Sequence, residues 1–167
     1  MSDFRTLPVD EAVTWIRAWT DHTWPISLQE AFAIRDHLDW RPSSQDPTLF
    51  ATRLSNDGKE DGFILESSES GVKCVRFHLS SKYPSDDNVK VAQLSSAAYS
   101  QYVAALTQLW SHGESSEELG VLQVSWTLPN RTSVSIFGLD NLISVTIDSP
   151  WRTQLKEDYD QAMEDYE

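Results

Sequence analysis

The sequence predicts a single α+β domain built on antiparallel sheet. Three observations carry that prediction. Segments of strand character come in two runs of three, with only turn chemistry inside each run. Helical stripes lie before, between and after the runs, so strands do not alternate singly with helices as a parallel βαβ fold requires. The 167 residues are 40% hydrophobic, which suits one domain with a real core. The expected order is αα-βββ-α-βββ-α over 1–167, closing on an acidic helix at 150–167.

The first helix is expected from Pro8 to about Thr20. Proline suits the first turn, where its missing N–H is no loss. Val9, Ala12, Val13, Ile16 and Trp19 make one apolar stripe. Ser27 and Glu30 have the spacing of a capping box, with Ile26 placed to staple onto Ala31. Leu28, Ala31, Ile34, Arg35 and Leu38 line this second helix, and Trp40-Arg41-Pro42 stops it. A polar loop at 41–48 leads to three strands at Leu49–Ser55, Gly62–Ser67 and Val72–Ser80. Asp57-Gly58 and Ser68-Glu69-Ser70-Gly71 supply the turns between them.

After an acidic loop at Tyr83–Asn88, the residues Tyr99, Tyr102, Val103, Leu106, Leu109 and Trp110 fall at helical spacing. Ser95 or Ser96 is the expected cap and Gly113 the stop. A second acidic loop is expected at Glu114–Gly120. Strands follow at Leu122–Leu128, Thr132–Phe137 and Leu142–Asp148; in the first, Leu122, Val124, Trp126 and Leu128 alternate with polar residues. Ser149-Pro150 then caps the last helix, whose stripe is Trp151, Leu155, Tyr159, Ala162 and Tyr166. The two α-βββ halves share a layout but no detectable sequence repeat.

Thirteen Lys+Arg against 26 Asp+Glu leave a net charge of −13. Such a surface repels phosphate backbones and anionic lipid, which disfavours direct nucleic-acid and membrane binding and favours capture of basic partners. The one cysteine, Cys74, cannot form an internal disulfide. No apolar run reaches the ~20 residues of a membrane span, and Met1-Ser2-Asp3-Phe4-Arg5 lacks the pattern of a secretion signal. The expected location is the cytoplasm.

Enzyme signatures are missing from the sequence. It contains no Gly-rich phosphate loop, no Gly-x-Ser-x-Gly elbow and no His-Glu-x-x-His helix. His22, His37, His78 and His112 fall on separate elements, so no metal, cofactor or catalytic residue is expected. Cys74 and His78 lie four apart on one strand, ~13 Å at ~3.3 Å per residue, too far for a nucleophile and its base. Of the seven tryptophans, Trp15, Trp24 and Trp40 lie off a stripe or at a helix boundary. These three either anchor a partner or staple the helix ends.

The acids cluster. Glu157, Asp158, Asp160, Glu164, Asp165 and Glu167 carry six of the charges with no base among them, and between Val91 and Trp151 the only Lys or Arg is Arg131. Acids at the C-terminal end of a helix oppose its dipole, so solubility alone is an incomplete account of them. A basic protein partner is the other reading. Its expected contacts are Asp86, Asp87, Glu114, Glu117, Glu118, Asp158 and Asp165, with Tyr166.

Several motifs are similar to those of a family of small acidic actinobacterial proteins encoded near secreted toxins. They are Leu7-Pro8-Val9-Asp10-Glu11-Ala12-Val13, Trp24-Pro25, Asp39-Trp40, Tyr102-Val103-Ala104-Ala105-Leu106 with His112-Gly113-Glu114, Val124-Ser125-Trp126 and Ser149-Pro150-Trp151. The resemblance spans most of the chain. It implies a cytoplasmic immunity protein that blocks a toxin domain, either a basic nuclease or an NAD-consuming toxin, and it carries over no catalytic residue. The element order also resembles the dimeric chaperones of secretion systems, which implies a homodimer that holds an export substrate. Monomer and homodimer both remain open at this point.

Overall fold

A computed structural model describes residues 4–67 and 71–166. The turn expected at 68–71 falls mostly, and the residues 1–3 and 167 wholly, outside the described residues. The elements in chain order are α1 (Val9–Thr20), α2 (Leu28–His37), β1 (Arg41–Pro42), β2 (Leu49–Ala51), β3 (Gly62–Ser67), β4 (Gly71–His78), α3 (Val89–Trp110), β5 (Glu114–Glu118), β6 (Val121–Thr127), β7 (Ser133–Leu139), β8 (Leu142–Asp148) and α4 (Pro150–Asp165). The strands form one antiparallel sheet in the order β1-β2-β3-β4-β8-β7-β6-β5. It is two four-stranded meanders, each starting at an outer edge and walking inward, joined where β4 pairs with β8. α3 carries the chain from the end of the first meander to the far edge. The α+β class and the repeated layout of the two halves therefore hold.

Register decides which face is core. Val75 pairs with Ile147 and Phe77 with Val145; Ile147 and Val145 in turn pair with Val134 and Ile136. All six are 0% exposed. α1, α2 and α3 pack on this face. By the two-residue alternation of strands, Arg76, His78, Ser135, Phe137 and Thr146 project from the other.

The helix signals with a local chemical code are present. The Ser27 hydroxyl accepts from the Glu30 N–H at 3.1 Å, and the Ser27 N–H donates to the Glu30 carboxylate at 3.2 Å. The Ser149 hydroxyl accepts from the Arg152 N–H at 3.1 Å, with Pro150 in the first turn. In α1, Ala12, Ile16 and Trp19 are buried as the stripe requires.

Six expectations need correction. α3 starts at Val89, capped by Asn88, whose side chain accepts from the Val91 N–H at 3.0 Å. Ser95 lies inside the helix and donates to the Leu139 carbonyl at 2.6 Å instead of capping. Leu109 is 40% exposed, because at ~100° per residue it sits about 60° round the helix from fully buried Leu106. The loop expected at Glu114–Gly120 is largely strand, β5, paired along its length with β6. The loop expected at 41–48 begins with β1, paired with β2. β2 itself ends at Ala51 and not Ser55, because the Thr52 N–H and hydroxyl both turn to Asp61, at 2.8 and 2.6 Å. Finally, Trp15 and Trp40 are core residues, 5% and 2% exposed, and Trp24 packs partly buried against the same cluster. Trp40 stacks on Phe50 at 4.7 Å and meets Phe77 at 5.0 Å, Trp15 at 5.2 Å and Trp19 at 6.0 Å.

Among the described residues no helix is long and apolar enough to cross a membrane.

Candidate partner-binding surface

The acidic candidates fall in three places. Asp86 and Asp87 are exposed in the loop before α3, where Asp87 bonds to Ser85. That loop lies beside the β7–β8 turn: the Tyr83 N–H donates to the Asn141 carbonyl at 3.1 Å. Glu114, Glu117 and Glu118 are exposed on β5, the outer edge of the second meander. Along that strand Glu114 and Glu118 point to one face and Glu117 to the other. Asp158, Asp165 and Tyr166 are exposed on or at the end of α4. α3 has 22 residues, ~33 Å at ~1.5 Å per residue, so its length parts Asp87 from Glu114. The structure thus gathers the candidates by element and does not merge them into one patch. Acids along β5 also have a local use, since charge on a free edge discourages pairing with another sheet.

The largest departure from the sequence reading is α4. Of its stripe the sequence reading placed only Tyr166 at a partner surface, yet Trp151 is 47% exposed, Leu155 52%, Tyr159 65% and Tyr166 93%, with Met163 beside them at 54%. Among its described residues only Thr153 is buried. At ~100° per residue the stripe is turned about 140° from Thr153. The helix is therefore buried against the sheet only in its first turn, through Thr153, and its apolar stripe faces solvent.

Polar contacts hold it that way. The Asp148 carboxylate, 2% exposed, faces Arg152 at 3.1 Å and Lys156 at 2.9 Å. The Thr153 and Ser133 hydroxyls are 3.0 Å apart. Arg131 in the β6–β7 turn pairs with Glu157. Lys73 reaches the Trp151 ring at 5.4 Å from its centroid. These ties act mainly on the first turns, and every described residue from Gln154 to Tyr166 is exposed. Asp158 and Asp165 flank the stripe, each accepting a bond from the glutamine four residues before it. The residues at 157–166 carry five acids and no base. Missing from the sequence reading as surface groups were Trp151, Leu155 and Met163. The Asp148, Arg152, Lys156 spacing of four and four was the available signal, since it fixes a polar inner face.

Nucleophile chemistry finds no support at Cys74. Its side chain is buried and burial pushes the thiol up, so it stays protonated at neutral pH. Among the described residues no group of three or more His, Cys, Asp and Glu is placed to hold a metal ion.

A family of unknown function (DUF6301) matches over residues 10–149. The chain belongs to that family. No curated protein and no solved structure matches it. The DUF6301 match takes in α1, α2, α3 and the whole sheet, and ends on Ser149, the cap of α4. α4 therefore lies beyond the DUF6301 region, and the buried core has no member after Ile147.

Proposed function

We propose that this protein is a cytoplasmic immunity protein, which binds a basic toxin domain and blocks it, and that α4 is the principal element of contact. One observation carries the reading: an acidic helix turns an unpartnered apolar stripe to solvent. Exposed apolar surface rimmed by charge is the usual form of a protein-binding site. Five carboxylates, of which Glu157 alone is paired with a base (Arg131) among the described residues, set the sign of the partner. A nuclease that grips phosphate has such a basic face, and acids around the stripe would steer the two together. The charge also argues against pairing of two copies through α4, since that would bring ten carboxylates side by side.

The test is co-expression with a toxin encoded beside this gene. Rescue of growth and a complex by gel filtration are expected. Leu155→Asp and Tyr159→Asp, both on the exposed stripe, should abolish both effects and leave the fold intact. Rescue that survives both substitutions would place the contact elsewhere; absence of rescue and of complex would refute the immunity reading. A homodimer by light scattering, dispersed by Leu155→Asp, would assign the stripe to a second copy and favour the secretion-chaperone reading.

A further inference from the structure

A second site lies away from α4, around His78. This residue ends β4 and projects from the sheet face opposite α1–α3. Two cavities, of about 310 Å³ and about 280 Å³, adjoin there and share Glu60, Asp61 and His78 as lining. The first is completed by the loop after β2, with Leu54 and Lys59, and by Lys82 and Pro84 after β4. The second is completed by Leu49, Phe63 and Arg76.

The charges in this cleft are unevenly satisfied. Asp61 is engaged, accepting from the Thr52 N–H at 2.8 Å and the Thr52 hydroxyl at 2.6 Å. Glu60 is held below the usual carboxylate range by its own backbone N–H and by Ser43. Asp57 is the third carboxylate at the margin. By contrast Lys59, Arg76 and Lys82 have no ion pair among the described residues, in a chain with twice as many acids as bases. The His78 ring has no hydrogen bond among the described residues. Its partner across the ladder, Ser144, is 0% exposed with an unpartnered hydroxyl. The loop is braced from behind, since Arg5 donates to the Leu54 carbonyl at 3.1 Å and the Asn56 side chain donates to the Lys82 carbonyl at 3.0 Å.

We infer that this cleft binds a small organic anion of the phosphate-monoester class, with the anionic group between His78, Arg76 and Lys82 and the organic part against Leu54 and Pro84 or Leu49 and Phe63. Arg76 offers the guanidinium fork and Lys82 the point charge that such an anion takes up. Each cavity is near the lower end of the size range for small-molecule sites. Burial, reinforced by Arg76 and Lys82 and opposed by Asp61, holds the free His78 imidazole below its ordinary value. A bound anion favours the charged ring, so binding takes up a proton and strengthens as pH falls toward the ordinary histidine value.

The probes are inorganic phosphate and phenyl phosphate, with phenol as the neutral control, read by the His78 ring signals in NMR. Saturable shifts with both phosphates, a raised His78 titration midpoint and no effect of phenol are expected. Arg76→Gln and Lys82→Gln, both at exposed positions, should each weaken binding by about tenfold, the loss of roughly one charge-assisted bond. A His78 signal unmoved by either phosphate, an equal response to phenol, or undiminished binding in both variants would overturn the site. None of these results depends on toxin rescue, so the two proposals stand or fall separately.

Discussion

Two tryptophans of the same chain should respond in opposite ways to truncation. Trp40 is 2% exposed at the centre of the aromatic cluster, with Phe50, Phe77 and Trp15 all within 5.2 Å between ring centroids. Burying a ring of ~200 Å² at ~25 cal/mol per Å² is worth about 5 kcal/mol. Its indole N–H is buried without a partner, a cost of ~1 kcal/mol that truncation removes. Trp40→Ala is therefore expected to destabilise by about 3–4 kcal/mol, a large part of a typical domain's ~5–15 kcal/mol. Trp151 is 47% exposed and meets Lys73 across 5.4 Å. Trp151→Ala is expected to cost less than ~1 kcal/mol. Urea unfolding followed by far-UV circular dichroism compares them fairly, because fluorescence changes whenever a tryptophan is removed. Equal costs at the two sites, or a cost at Trp40 under ~1.5 kcal/mol, would refute the assignment of one ring to the core and the other to a docking face.

Two further outcomes follow from buried polar groups. The Tyr102 hydroxyl, in a residue 1% exposed, donates to the Leu7 carbonyl at 2.6 Å, and burial holds the phenol up to about 12. A raised folded-state value means stability that is complete below pH ~10 and is lost as pH rises through about 12. The loss over that window is about 2–3 kcal/mol, and alkaline unfolding curves of Tyr102→Phe should lack this component; identical slopes in the two proteins would count against it. Asp148→Ala leaves Arg152 and Lys156 without their shared carboxylate. Both bases are partly exposed, so water takes up much of the loss, and the cost is expected near 1–2 kcal/mol. Limited trypsin digestion should then cut faster after Arg152 and Lys156, while an unchanged rate would show that α4 is held by other contacts.

What was legible in the sequence is what side chains encode locally. The Ser27–Glu30 box and the Ser149-Pro150 start are chemical signals complete within four residues, and both are present in the structure. The buried strands β4, β7 and β8 announce themselves by apolar alternation. β5 does not, because all five of its residues are exposed and its pairing with β6 is made by backbone groups that any sequence supplies. The first turns of α3 were hidden because their buried stripe, Val91, Ser95 and Ala98, is made of small or polar residues after Val91, while the larger Val89 and Leu94 are 72% and 46% exposed. α4 shows a different limit. Its 3.6-residue period was read correctly, but a period states only that a helix has two faces. Which face meets the sheet is decided by Asp148, Arg152, Lys156 and the Thr153–Ser133 contact, and these are long-range choices.

The exposure of α4 also sets how binding and folding are coupled. Beyond its first turns the helix has no buried residue, and isolated helices of this length are marginal in water. Its last turn carries Glu164 and Asp165, which oppose the helix dipole and have no base beside them. The free protein should therefore show rapid amide exchange over 157–166, while β8, paired on one side with β4 and on the other with β7, stays protected by the core around Val145 and Ile147. A basic partner that covers the stripe supplies both missing terms at once, apolar contact along Leu155, Tyr159 and Met163 and charge opposite the last turn. Protection over 157–166 should rise on complex formation without change in β8. Full protection of α4 in the free protein would show that the helix needs no partner to be ordered, and would remove the thermodynamic reason for placing the contact there. The core that supports the sheet contains nothing from α4, so substitutions along the stripe can change the partner without being felt by the fold.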